Sequence, residues 1–250
     1  MRRWLLPLAL IALLLGIWQL AASTGAIADA LSLEDFLVPS PTEIASSLWD
    51  SRSLLAENAW VTLREILLGI FFALVVGAGF AILMHRWQLL RDAAYPLIVA
   101  SQTIPIVVIS PILLVWFGYG VTPKIVIIAL ICFFPITVNV LDGLRSVDPD
   151  AVKLMRSLDA SRWQRFWRVE APAALPNLFT GLKIAVVLSP ISAVFAEWVG
   201  SSSGLGHLIQ SDTANYQVAR QFASVVVLSA MALALIGLTA LAERRVVRWR

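Results

Sequence analysis

Apolar runs long enough to cross a bilayer recur along this chain, and they leave it few folds to choose from. A hydrocarbon core takes about 20 consecutive apolar residues in helical form, and every backbone polar group inside it must be satisfied within the protein. Runs of that kind lie near Trp4–Ala22, Ile66–Met84, Ala93–Phe117, Ile125–Leu141, Leu178–Val199 and Phe222–Leu241. The chain therefore reads as an all-α, polytopic membrane protein with about six transmembrane helices. Composition agrees: 14% of the residues are charged, where a soluble domain averages about 25%. Cys132 is the sole cysteine, so neither a disulfide nor a cysteine-based metal site forms within one chain.

Two of these runs need comment. The third carries Pro96, Pro105 and Pro111, which predicts a kinked or partly re-entrant segment, since Pro removes a backbone donor. The first follows Arg2-Arg3 and precedes Ala26-Ile27-Ala28, a possible cleavage site. Its apolar stretch from Leu5 to Ala22 exceeds the roughly 7–15 residues of a signal core, which favours a retained anchor.

The basic residues sort by side. With the N-terminus inside, Arg2, Arg3, Arg86, Arg91, Arg244, Arg245, Arg248 and Arg250 fall on the inner face, together with Arg145, Lys153, Arg156, Arg162, Arg165 and Arg168. Arg52, Arg64, Lys124 and Arg220 fall outside, and Lys183 lies near the inner end of the fifth run. This obeys the positive-inside rule and places both termini in the cytoplasm. It also accounts for the net charge of +3 with no nucleic-acid partner.

One interval breaks the apolar pattern: Asp142 to Pro176, the longest polar stretch in the chain. Asp148-Pro149-Asp150 opens a helix, with acids at the positive end of its dipole. Ala151, Leu154, Met155 and Leu158 follow as one apolar stripe. Asp159-Ala160-Ser161 interrupts, and Ser161 is placed to cap a second helix with Trp163, Phe166 and Trp167 on one side. Ala171-Pro172 and Leu175-Pro176 are expected to end it. Two short amphipathic helices joined by a turn form either a docking surface for a soluble partner or an interfacial segment resting on lipid.

Other features are local. Thr42 is expected to cap a short outer-surface helix over Ile44, Ala45, Leu48 and Trp49. Gly69, Gly77 and Gly79 allow close helix packing in the second span. Gln102 and Thr103, in Ser101-Gln102-Thr103-Ile104-Pro105, and Asn139, in Pro135-Ile136-Thr137-Val138-Asn139, are polar groups at depth. They serve interhelical hydrogen bonds or a translocation pathway. Glu197, the only acid of the fifth span, either rests at the outer interface beside Trp198 or lines that pathway. Ser201-Ser202-Ser203-Gly204-Leu205-Gly206 has no strand before it and no Lys after it, so it reads as a turn. His85 and His207 fall on opposite faces and cannot share a metal. No lysine follows Gly in a phosphate loop, and there is no Gly-x-Ser-x-Gly elbow or His-Glu-x-x-His pair, so no catalytic or metal-binding residue is assigned. The layout divides at residue 58 into an N-terminal anchor with its outer segment, 1–58, and a core, 59–250, holding the polar loop 142–176.

Asp159-Ala160-Ser161-Arg162-Trp163-Gln164, then Ala173-Ala174-Leu175-Pro176, then Gly181-Leu182-Lys183-Ile184-Ala185, resembles the EAA loop of ABC importer permeases. These are inner-membrane components of binding-protein-dependent transport. The resemblance runs from about Val38-Pro39-Ser40-Pro41 to the end of the sixth span and implies the type I ABC importer permease fold. It further implies that Leu158, Asp159, Ala160, Ser161, Arg162 and Trp163 couple the chain to separate ABC ATPase subunits, with Pro172, Leu175 and Pro176 shaping the loop. ATP would be bound by those subunits, with no cofactor in this chain. A homodimer in the bacterial inner membrane and a periplasmic or lipoprotein solute-binding protein would complete the assembly. The chain departs from the family in carrying Lys153-Leu154-Met155 where Glu-Ala-Ala is usual, and Asp159 where a turn Gly is usual; Asp tolerates the left-handed conformation better than most residues.

The overall layout is similar to the nitrate/sulfonate/taurine branch. Asp142–Pro149 and Glu197–Gly206 are most similar to permeases for hydroxymethylpyrimidine, a thiamine precursor. A neutral pyrimidine suits a chain whose only basic residue at depth, by this reading, is Lys183. An ion-gradient-driven secondary transporter is the alternative class; it would be expected to show internal repeats and intramembrane acids.

Overall fold

The computed structural model describes residues 2–248, and among them every regular element is helical. Arg250, counted above among the inner basic residues, lies outside the described residues. In chain order the helices are α1 (Arg2–Ser23), α2 (Ala26–Leu31), α3 (Pro41–Asp50), α4 (Arg52–Arg86), α5 (Gln88–Ser101), α6 (Ile106–Phe117), α7 (Val121–Arg145), α8 (Pro149–Ser157), α9 (Arg162–Arg165), α10 (Ala171–Trp198), α11 (Leu205–Ala214) and α12 (Val218–Val246). Among the described residues four stretches are long and apolar enough to cross a membrane: Arg52–Arg86, Val121–Arg145, Arg162–Trp198 and Val218–Val246.

The third predicted run is two helices rather than one span. α5 ends at Ser101, and α6 starts after Pro105. Pro105 supplies no N–H and pushes Ile104 out of helical conformation, while Thr103 Oγ1 turns back to donate to the Ala100 carbonyl at 2.8 Å. Gly118 (φ 72°) and Gly120 (φ 144°) then form the turn into α7, at φ values that L side chains rarely adopt.

The chain packs as two compact units. One comprises the chain up to Val61 together with Ser203–Ser229. Within it the Gln19 amide pairs twice with Thr42, donating to Oγ1 and accepting from the backbone N, both at 3.1 Å. α3 is capped by Ser40 rather than by the expected Thr42. Ser40 Oγ accepts from Glu43 N at 3.3 Å while the Glu43 carboxylate accepts from Ser40 N at 2.7 Å, and Pro41 sits in the first turn. Asn58 Oδ1 accepts from Gly204 N at 2.7 Å, and Arg220 forks onto the fully buried Asp212.

The other unit comprises Thr62–Ser202 and the chain from Ala230 onward. Its core joins Ile66 and Met84 of α4, Ile128, Ile136 and Leu141 of α7, and Ala185 and Ala193 of α10. Small residues set the spacing. A Cβ on Gly69 would meet Ile128, and one on Gly77 would meet Thr137, so α4 and α7 run parallel. A Cβ on Gly181 would meet the Pro135 carbonyl, and one on Gly143 would meet Asn177, so α10 runs antiparallel to α7. The starts of α4 and α7 therefore lie at the same end as the finish of α10. The basic residues at the finish of α4 and ahead of α10 share the opposite end.

Candidate functional site

The polar interval folds into a tight double turn at that opposite end. Asp148 caps α8 by accepting from Asp150 N at 2.9 Å, with Pro149 in the first turn. α8 closes in a Schellman motif: Ala160 N bonds to the Met155 carbonyl and Asp159 N to the Arg156 carbonyl, each at 3.0 Å. Asp159 occupies the left-handed position of that motif at φ 53°. Ser161 caps the next turn in a full capping box with Gln164, as its chemistry predicts.

Beyond Gln164 the structure departs from expectation. The second helix does not end at Ala171-Pro172 or Leu175-Pro176. α9 passes through a π-helical turn, Phe166–Glu170, directly into α10, so helical backbone is continuous from Arg162 to Trp198. In the π turn Ala171 N reaches the Phe166 carbonyl five residues back, and the widened turn admits Pro172, which has no N–H to give. Leu175 and Pro176 sit half-buried in the first turns of α10.

The apolar stripe also divides. Ala151 and Met155 are half-buried, but Leu154 and Leu158 are 62% and 67% exposed, and Trp163 beyond the turn is 70% exposed. Trp163 packs edge-on to Trp167 with ring centroids 5.4 Å apart, and Phe166 lies against both. The segment Leu158 to Trp163 is thus a stiff projection: a Schellman closure and a capping box back to back, with large apolar side chains turned to solvent.

Of the candidate pathway residues, Asn139 and Glu197 stand well apart. Gln102 and Thr103 occupy the exposed break between α5 and α6. Asn139 Nδ2 donates to the Pro135 carbonyl at 2.7 Å, and its Cβ stands against Gly181. Glu197 lies 16 residues further along α10, about 24 Å by helical rise. It is fully buried and accepts from Thr62 Oγ1 at 2.6 Å.

Around Glu197 the structure assembles a charged group that sequence reasoning did not find. Lys124, read as an outer basic residue, is 6% exposed and ion-paired with Glu65, itself 1% exposed. Lys124 also donates to Ser201 Oγ at 3.0 Å, and Thr62, three residues before Glu65 on α4, is the residue that donates to Glu197. Lys183, expected to be the sole basic residue at depth, is half-exposed and paired with Glu243 of α12. The available signal was the placement of Glu65 and Lys124 at the start of two long apolar runs, where a charge needs a partner. Among the described residues no cluster of His, Cys, Asp and Glu is arranged to hold a metal ion.

Residues 65–248 match the family described as binding-protein-dependent transport system inner membrane component. A probable ABC transporter permease protein of Haemophilus influenzae is 38% identical over 93% of each chain. The formylaminopyrimidine transport permease protein ThiX of Halalkalibacterium halodurans is 34% identical over 98% of this chain and 95% of its own. The riboflavin transport system permease protein RibX of Chloroflexus aurantiacus is 35% identical over 98% and 89%. The taurine transport system permease protein TauC of Escherichia coli and the protein named putative aliphatic sulfonates transport permease protein SsuC of Bacillus subtilis align over 99% of the chain at 29% and 28% identity. In fold, the inward-facing MetNI methionine ABC transporter superposes with a TM-score of 0.67 at 21% identity, over 80% of this chain and 97% of that one.

Proposed function

The chain belongs to the binding-protein-dependent transport system inner membrane components, ABC importer permeases rather than enzymes, and from that premise we propose how it is driven and what it carries. The Leu158–Trp163 projection is the coupling element that docks on ABC ATPase subunits, which bind the ATP. Two copies of this chain form the membrane dimer, with both termini in the cytoplasm, and a periplasmic or lipoprotein solute-binding protein delivers the solute. The observation that carries this reading is the pairing of exposed Leu154, Leu158 and Trp163 with helical backbone unbroken from Arg162 to Trp198. A partner closing on the projection would move α10 as one lever, opening the permease alternately to each side. Asp159 keeps the required turn without glycine.

The solute is hydroxymethylpyrimidine or a close thiamine precursor. Similarity to a formylaminopyrimidine permease supports this class, and riboflavin, taurine, sulfonate and nitrate are the competing solutes.

The test is to purify the tagged chain from native membranes in mild detergent and identify every co-purifying protein. An ATPase and a solute-binding protein are expected, and the binding protein is then titrated with hydroxymethylpyrimidine, formylaminopyrimidine, riboflavin, taurine and nitrate. Ala160→Glu should lose the ATPase and uptake while keeping its helicity and melting temperature. Normal uptake by that variant would overturn the docking assignment, and tighter binding of riboflavin or taurine would overturn the solute.

A further inference from the structure

A cavity of about 660 Å³ lies between the end of α4 and the double turn. Arg86, Arg156, Arg162 and Arg165 line it, and its one carboxylate, Glu170, is engaged by His85 Nε2 at 3.3 Å. Among the described residues none of these four guanidinium groups lies within ion-pair distance of a carboxylate. Arg165 Nε is shut off from solvent and has no hydrogen-bond partner. A guanidinium stays charged at any physiological pH, and its donors need acceptors. Four arginines around one space can offer their forks to the several oxygens of a phosphate group. The remaining wall is apolar, from Phe166 and Trp163 to Ile82 and Leu83. Ile82 and Leu83 are exposed on the last turns of a membrane-crossing helix.

We propose that this cavity is a binding site for a phosphate-bearing anion. Its apolar wall favours the head group of an anionic phospholipid, with acyl chains running along the Ile82–Leu83 side of α4; basic pockets beside membrane helices hold lipid head groups in this way. Soluble phosphate offers the same oxygens without the chains. A lipid held here would brace α4 against the turn that leads into α10. Arg162 and Trp163 of the projection share the cavity wall, whereas Leu154 and Leu158 take no part in it.

The experiment uses the full chain with whatever subunits co-purify, exchanged into phosphatidylglycerol or phosphatidylcholine and examined by native mass spectrometry. Phosphatidylglycerol should be retained about tenfold more than phosphatidylcholine, and Arg86→Gln with Arg165→Gln should remove that preference. Arg86→Gln alone, at an exposed position, should weaken retention several-fold with the melting temperature unchanged, which separates lost binding from lost folding. Phosphatidylglycerol that stays bound in excess inorganic phosphate identifies the lipid as the source. Displacement by inorganic phosphate, with a rise in melting temperature from phosphate alone that Arg86→Gln abolishes, identifies the soluble anion. Equal retention of the two lipids with no phosphate effect, or unchanged retention in the double variant, would overturn the site.

Discussion

Lys124, in the first turn of α7, is ion-paired with Glu65 of α4, and the two side chains are only 7% and 1% exposed. Removing one member of such a pair leaves the other charge buried without a counter-ion, at a cost of about 3–5 kcal/mol, whereas removing both is often close to neutral. Lys124→Met and Glu65→Gln should each lower the melting temperature of the purified protein by several degrees. The double variant should recover most of that loss. Thermal melts in detergent decide it: a double variant as unstable as the two single losses added together would show that the side chains act independently.

Asp159 stands where the Schellman closure of α8 requires a left-handed residue, at φ 53°. That conformation costs a residue with a Cβ about 1–2 kcal/mol, less for Asp than for a branched side chain. Asp159→Gly is expected to stabilise the turn by about 0.5–1 kcal/mol and to leave ATPase co-purification intact. Asp159→Val should loosen it. Limited proteolysis between Ser157 and Ser161 is the readout, and equal cleavage of the Gly and Val variants would mean that the left-handed turn is not held in solution.

The parts of this architecture legible in sequence are those decided by local chemistry. The apolar runs became α4, α7, α10 and α12 because bilayer length and hydropathy act on each segment separately. The Ser161 cap was readable because a hydroxyl three residues before Gln164 can satisfy only nearby donors. The same logic, applied to Glu43 three residues after Ser40, would have placed the first cap correctly in preference to Thr42. Pro172 misled because the rule that proline ends a helix assumes α geometry, and the π turn at Phe166–Glu170 removes its clash; Pro176 sits further on, inside α10, with the helix unbroken around it. The Glu65–Lys124 pair was illegible for a different reason. Each residue alone reads as an outer flank of its own span, and only the parallel packing of α4 on α7 brings them together.

That packing rests on glycines whose roles differ sharply. A Cβ on Gly181 would lie 2.6 Å from the Pro135 carbonyl oxygen and 3.0 Å from Asn139 Cβ, while one on Gly79 would meet nothing within 4 Å. Overpacking a close helix contact costs about 1–3 kcal/mol, and the obstacle at Gly181 is partly backbone, which cannot swing aside. Gly181→Val should therefore lower the melting temperature markedly and Gly79→Val hardly at all, though both substitutions add the same side chain to a membrane helix. Alanine already supplies that Cβ, so Gly181→Ala should lower the melting temperature too; if α10 is the lever that transmits the movement of the double turn, it should also slow uptake beyond what the lost stability accounts for, because sliding on α7 would pass through still tighter contacts. Uptake and thermal melts measured on the same variants separate the two effects. An Ala variant that transports normally would show that α10 does not slide on α7 at this level.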